Sequence, residues 1–148
     1  MAESLVDGAL RDARDGTFAC HTTASPEHVW RALTDPSLTP RYLYGLVLTS
    51  EWTAGAPIKA RHCDERYSDL ITLSGRVLCA RPGDRLSYQL QCAEDPPVYL
   101  TWQIRACRLS QGTVCSLQVD EVESLDSRSE AEDTWLPVLA ALQHVLDN

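Results

Sequence analysis

The chain has 148 residues, with 13 Lys+Arg against 21 Asp+Glu and a formal net charge of −8. One domain suits this length, and a hydrophobic share of 44% excludes wholesale disorder. The acidic balance disfavours nucleic acid, and no apolar run reaches the ~18 residues of a membrane span.

The start, MAESLVDGALRDARDG, lacks the basic flank and apolar core of a signal peptide. These features predict a cytoplasmic protein with a single domain over 1–148. Residues 1–16 are either flexible or an extra hairpin strand. The first clear element is 17–23, where Phe18 and Cys20 alternate with Ala19 and His21 as in a strand. Ser25 then offers an N-cap and Pro26 a first helical position, and Val29, Trp30 and Leu33 mark a short amphipathic helix. Asp35-Pro36 ends it and opens a second short turn of helix through about Leu38, closed by Pro40.

From Tyr44 onward the pattern is strand. Leu46–Ser50 is an apolar run, and after a Thr53-Ala54-Gly55 turn, Ile58, Ala60 and His62 share one side of 56–63. Over 70–80 the inward set is Ile71, Leu73, Gly75, Val77 and Cys79; over 85–92 it is Leu86, Tyr88, Leu90 and Cys92. Pro96-Pro97 interrupts the chain. Strand 98–108 turns Val98, Leu100, Trp102, Ile104 and Ala106 inward, and strand 113–122 does so with Cys115, Leu117 and Val119. Short turns and one polar face describe an antiparallel sheet with one side covered. The cover is a helix over about 129–147, with Trp135, Leu139, Leu142 and Leu146 at helical spacing. Glu130, Glu132 and Asp133 suit its first turns, and Pro137 predicts a bend or a late start. A long helix across a curved sheet encloses a cavity where the two diverge.

The local words also resemble a family. Ser25 to Pro36 (SPEHVWRALTDP) is similar to the "SPE.VW.ALTDP" opening of the START-like, helix-grip proteins termed SRPBCC. Within them it resembles the C-terminal domain of the activator of the heat-shock protein 90 ATPase. Leu38–Gly45 resembles "LT.RY..G", and Ser50–Pro57 resembles "S.W..G.P". Gly75 through Tyr88 resembles "G.VL...P..RLSY", and Trp135 through Asp147 the terminal "GW..VLAALK.LLE" helix. Thr134 stands where that pattern has Gly, and Gln143 where it has Lys. The resemblance implies an α+β helix-grip (START/Bet v-like) fold. It would have a curved antiparallel sheet of about six to seven strands, two short helices after the first strand and a long C-terminal helix across the sheet. The family's motif residues are architectural, so no catalytic set carries over.

Six cysteines (Cys20, Cys63, Cys79, Cys92, Cys107, Cys115) include no CxxC pair, and a reducing compartment predicts reduced thiols. Strand phase puts Cys20, Cys79, Cys92 and Cys115 inward and Cys63 and Cys107 outward. His62-Cys63 and Cys20-His21 are neighbours on strands and point to opposite faces, so no metal or cofactor site is expected. His62 is the one catalytic candidate, as a proton carrier facing the cavity or as a hydrogen-bonded interior histidine, with Glu121 in phase to pair with it. Trp30, Tyr42, Tyr88, Trp102 and Trp135, with Leu139 and His62, are candidate ligand contacts; the same spacing also describes core. Arg105, Arg108, Gln103 and Thr101 form a polar outer face.

The expected function is binding of a small, largely apolar organic ligand between sheet and C-terminal helix, without catalysis. The alternatives are a chaperone-activator-like interaction module, or a cyclase or hydrolase on the same fold. An apolar small molecule and a second copy of the chain are the candidate partners; nucleic acid and membrane are not.

Overall fold

Eight strands build one sheet: β1 (Ala9–Arg11), β2 (Thr17–Thr22), β3 (Leu46–Thr49), β4 (Pro57–His62), β5 (Leu73–Arg81), β6 (Arg85–Cys92), β7 (Val98–Ala106) and β8 (Thr113–Glu121). The computed structural model describes residues 9–11, 17–68, 73–92, 95–107, 111–121 and 128–147, of which 9–11, 67–68, 121 and 128–131 as backbone only. The spatial order is β1-β2-β8-β7-β6-β5-β4-β3, every neighbouring pair antiparallel. Strands β2 to β8 are the seven-strand, curled half-barrel that the alternation predicts. The three-residue β1 adds an outer edge by pairing Leu10 with Ala19. The remaining residues of 1–16 lie outside the described residues.

Helix α1 (Pro26–Thr34) starts as its sequence dictates. The Ser25 hydroxyl accepts the His28 N–H at 3.2 Å, and Pro26 sits at the first helical position. Its buried face is Val29, Ala32 and Leu33. Trp30, expected in that stripe, is half-buried and packs on the edge of the core, because Ala32 occupies the position facing the sheet. Asp35 then takes the Ser37 N–H and hydroxyl at 2.8 and 2.7 Å, and these bonds hold its carboxyl below the usual range.

The second helical turn departs from expectation. It is a 3-10 turn over Thr39–Arg41 with Pro40 inside it, not a turn closed by Pro40. The fixed proline φ and missing N–H are tolerated in a first turn, so Pro40 helps to open it. A further one-turn helix, α2 (Glu65–Ser68), follows β4 where no helix was expected. The carboxylate of Asp64 initiates it by accepting the Arg66 N–H at 3.0 Å.

Helix α3 (Arg128–Asp147) runs through Pro137 without the late start that residue suggested. Its buried face is Val138, Leu139, Leu142, Val145 and Leu146, at the spacing that predicted it. Of these, Val138, Leu139, Leu142 and Leu146 close over Phe18, Leu86, Trp102 and Leu117 of the sheet in one cluster.

Two cysteines depart from their expected environments. A bulge between Val77 and Cys79 makes Cys79 the partner of Ser87 and Ala80 the partner of Leu86. The extra residue flips the strand phase, so Ala80 packs on the core and Cys79 joins the outer face. Cys92 keeps its inward phase opposite Leu73 but is exposed, because β6 ends there, beyond the closed part of the core. Cys20 and Cys115 are buried as expected and stand directly opposite each other.

The apolar face of α3 makes the core, so removing one of its largest fully buried side chains should be costly. Leu142→Ala is expected to lower unfolding free energy by about 2–5 kcal/mol, read as a fall in urea midpoint at unchanged slope.

Candidate functional site

Burial falls along the inward face in one direction. On β6, Leu86 and Tyr88 are 0% and 1% exposed, Leu90 is 9%, and Cys92 is exposed. On β8, Cys115 and Leu117 are 0% exposed and Val119 is 8%. The end of the sheet carrying Cys92, Leu73 and Val98 is therefore the open one. The fastening of α3 agrees with this. Near its C-terminus, the Asp147 carboxylate accepts the Thr22 hydroxyl and the Thr23 N–H and hydroxyl, and Gln143 donates to the His21 carbonyl at 2.8 Å. At the other end the Tyr44 hydroxyl donates to the Thr134 carbonyl.

A pocket of about 220 Å³ opens at this end. Leu73, Leu90, Val98 and Leu100 form its sheet wall, and Trp135 of α3 stands against them. Cys92, Asp95 and Pro96 form the rim. Gly75 shapes the wall: a Cβ there would lie 2.2 Å from the Gln89 carbonyl oxygen and 2.8 Å from a Leu90 methyl. Leu90 therefore leans across a position only glycine can hold.

The candidate contacts named from sequence are not all in one place. Trp135 lines the pocket. Leu139 lies one helical turn further on, completely buried. Tyr42, Tyr88 and Trp102 form a buried aromatic group below it. The Trp102 Nε1 donates to the Tyr88 hydroxyl at 3.1 Å, the Tyr42 hydroxyl donates to the Ala32 carbonyl at 2.8 Å, and Tyr42 meets Trp102 edge-on at 6.2 Å. Trp52, itself left-handed at φ 55°, packs against Tyr88 at 5.9 Å. Trp30 is on α1, at the core's edge.

His62 ends β4 opposite Leu46. Its Nδ1 accepts the Asp64 N–H at 3.0 Å, so the neutral ring carries its proton on Nε2. The ring lies against Gly45, where a Cβ would come within 2.6 Å of Nε2; Gly45 itself is left-handed, at φ +82°. Three strands separate β4 from β8, so His62 and Glu121 are not cross-strand neighbours; the Glu121 side chain lies outside the described residues.

On the outer face Arg105 donates to Gln103 at 3.1 Å, and Ser87 and Thr101 bond at 3.1 Å; Arg108 lies outside the described residues. Cys63 is exposed and Cys107 half-buried. Among the described residues, no group of three His, Cys, Asp or Glu converges to hold a metal ion, and no helix is long and apolar enough to cross a membrane.

Leu73, Leu90, Cys92, Asp95, Pro96, Val98 and Leu100 were not singled out from sequence as contacts. The Pro96-Pro97 break was the available signal. It marks the sheet end where β6 hands over to β7, and the residues flanking it on the inward phase are the wall and rim.

A family model described as "Activator of Hsp90 ATPase homolog 1-like protein" matches residues 23–147. The chain belongs to this family. Solved structures show the same fold. CalU16 from Micromonospora echinospora superposes with a TM-score of 0.69 at 18% identity, over 88% of this chain and 74% of its own. A Rhodobacter sphaeroides protein gives 0.66 at 25% identity, over 95% and 92%. DynU16, a protein in the dynemicin biosynthetic locus, gives 0.67 at 18%, over 88% of this chain and 46% of its own. None of the curated proteins compared matches the sequence significantly.

The buried titratable groups of this family member serve the fold. Burial pushes the Cys20 thiol, ordinarily at 9.0, up to about 12, with Asp147 adding to the effect. Burial also raises Cys115 and Tyr42, and takes Tyr88 from 10.0 to about 12. In the folded state these groups stay protonated, while in the unfolded chain they ionise at their ordinary values. Stability is thus fully present below about 9 and is lost as pH climbs towards 12. The urea midpoint should fall between pH 8.5 and 11, and fall less steeply in a Cys20→Ala/Cys115→Ala variant. A midpoint independent of pH over that range would contradict the assignment.

Proposed function

We propose that this protein binds one small, largely apolar organic molecule in the pocket under Trp135, without converting it. The observation that carries this reading is the 220 Å³ opening walled by Leu73, Leu90, Val98, Leu100 and Trp135, directly above fully buried layers. Ligand pockets commonly measure about 300–1,000 Å³, so this one suits a single or fused ring, or the buried end of a longer molecule. The fold's presence in DynU16, from the dynemicin locus, supports a small organic ligand. A cytoplasmic setting fits six cysteines of which none is disulfide-bonded.

The non-catalytic reading rests on how the polar groups are used. Tyr42 and Trp102 direct their donor protons to partners inside the core, away from the pocket. His62 is engaged at a strand end by Asp64. The family description favours a second reading, activation of a chaperone ATPase, which would show as faster ATP turnover by the chaperone when this protein is added.

The pocket reading is tested by thermal shift and calorimetry across aromatic and lipid ligands. Saturation at 100 times Kd should raise Tm by about 5–10 °C in a domain of this size. Leu73→Trp, which fills the pocket from its wall, should weaken binding at least tenfold with the circular dichroism spectrum retained. Trp135→Ala should weaken it too, by removing the opposing wall. Silence across the panel, or undiminished binding in Leu73→Trp, would overturn the proposal.

A further inference from the structure

Charge at the pocket rim narrows the ligand class. The side chains around the opening are apolar except for the Cys92 thiol and the Asp95 carboxylate. Asp95 is exposed, and its carboxylate makes no hydrogen bond or ion pair among the described residues. Its backbone is fixed: the N–H donates to the Cys92 carbonyl at 2.8 Å, and the carbonyl accepts from Gln91 Nε2 at 3.0 Å. These bonds hold the residue at the rim with its charge available.

The helix side has the same sign. Glu132 precedes Trp135 by three residues and so shares its face of α3, and Asp133 follows it. Both sit in the first turns of the helix, where they offset the positive end of its dipole. That end consequently offers little attraction to an anion. No lysine or arginine is among the lining residues, and the whole chain carries −8. An anionic headgroup entering this opening would meet the Asp95 carboxylate at the rim, with no lysine or arginine among the lining residues to receive it. A cation would be stabilised there by Asp95.

Resting on the pocket reading above, we infer that the ligand is an aromatic amine: its ring lies against Trp135 between the leucine walls, and its protonated nitrogen meets Asp95. Neutral aromatic molecules bind next best, and aromatic or aliphatic carboxylates bind most weakly. The wall supports a ring over a flexible chain, since a planar face opposite the Trp135 indole gains from offset stacking beyond the area buried. An exposed carboxylate acts through a high effective dielectric, so the preference is set at roughly tenfold.

Three probes of matched ring and different charge test this: tryptamine, indole and indole-3-acetate, titrated into the full chain at pH 7 by calorimetry and ligand-observed NMR. Tryptamine is expected to bind most tightly and indole-3-acetate about tenfold more weakly than tryptamine. Raising salt to about 1 M should shrink that ratio, because an exposed pair is screened. Asp95→Asn should also shrink the ratio, whatever it does to absolute affinity. Equal affinity for tryptamine and indole-3-acetate, or preference for the acid, overturns the amine assignment and leaves binding under Trp135 standing. An unchanged ratio in Asp95→Asn overturns the role given to that carboxylate. If none of the three binds, the amine assignment falls, and the wider panel above then decides whether the pocket reading falls with it.

Discussion

The fastening of helix α3 sets the rest of the structure. Asp147 stands at a helix C-terminus, where the dipole disfavours a carboxylate, yet it accepts the Thr22 hydroxyl and the Thr23 N–H and hydroxyl. Charge-assisted bonds of this kind outweigh a helix-end penalty of a few tenths to one kcal/mol. With Gln143 on the His21 carbonyl, they press the last turns of α3 onto the end of β2. At the other end the Tyr44 hydroxyl donates to the Thr134 carbonyl, and the helix stands apart over the ends of β5, β6 and β7. A rigid helix anchored at one end and spaced at the other leaves a wedge, and the burial gradient from Leu86 to Cys92 follows its opening.

Inside the wedge, the polar atoms of the large aromatics are directed at partners within the core. Trp102 donates to Tyr88, and Tyr42 reaches back to the backbone of α1. A buried donor left without a partner costs about 1–3 kcal/mol, so these bonds are what allow such residues into the fully buried layers. The loop before β3 contributes at the open end. Tyr44 and Gly45 are both left-handed, at φ 55° and 82°, and this bend brings the Tyr44 hydroxyl to the helix while seating Gly45 under the His62 ring. Strain at a non-glycine residue is tolerated there because the contacts on both sides are satisfied.

Much of this was legible in the sequence because strands and helices repeat with different periods. Apart from Cys92 and Ala106, which are exposed at strand ends, the inward sets of β6, β7 and β8 and the apolar stripe of α3 are found where the alternation and helical spacing put them. Ser25 and Pro26 started α1 as written. What escaped was local. A one-residue bulge at Val77–Cys79 reversed the phase of a strand end, and periodicity carries no mark of a bulge. Pro40 was read as a stop and Pro137 as a bend or a late start, yet one opens a 3-10 turn and the other rides inside a helix that begins nine residues before it. Trp30 and Trp135 show the remaining difficulty. Phase tells which face a residue takes, and both have an inward-leaning phase. Only position along the wedge separates the one at the core's edge from the one beside the pocket.

The same division accounts for the character of the pocket. At the closed end, Thr22, Thr23, Thr113, Gln143 and Asp147 tie helix, strand and turn together, and Thr113 donates to the Ala24 carbonyl at 2.6 Å. Polar side chains are concentrated where the elements must be joined. At the open end the pocket wall is built from leucine, valine and one tryptophan, and its charge is confined to the rim. A wall this largely apolar grips a ring but does little to orient it. Orientation must come from the edge, and Asp95 is the charged side chain placed there.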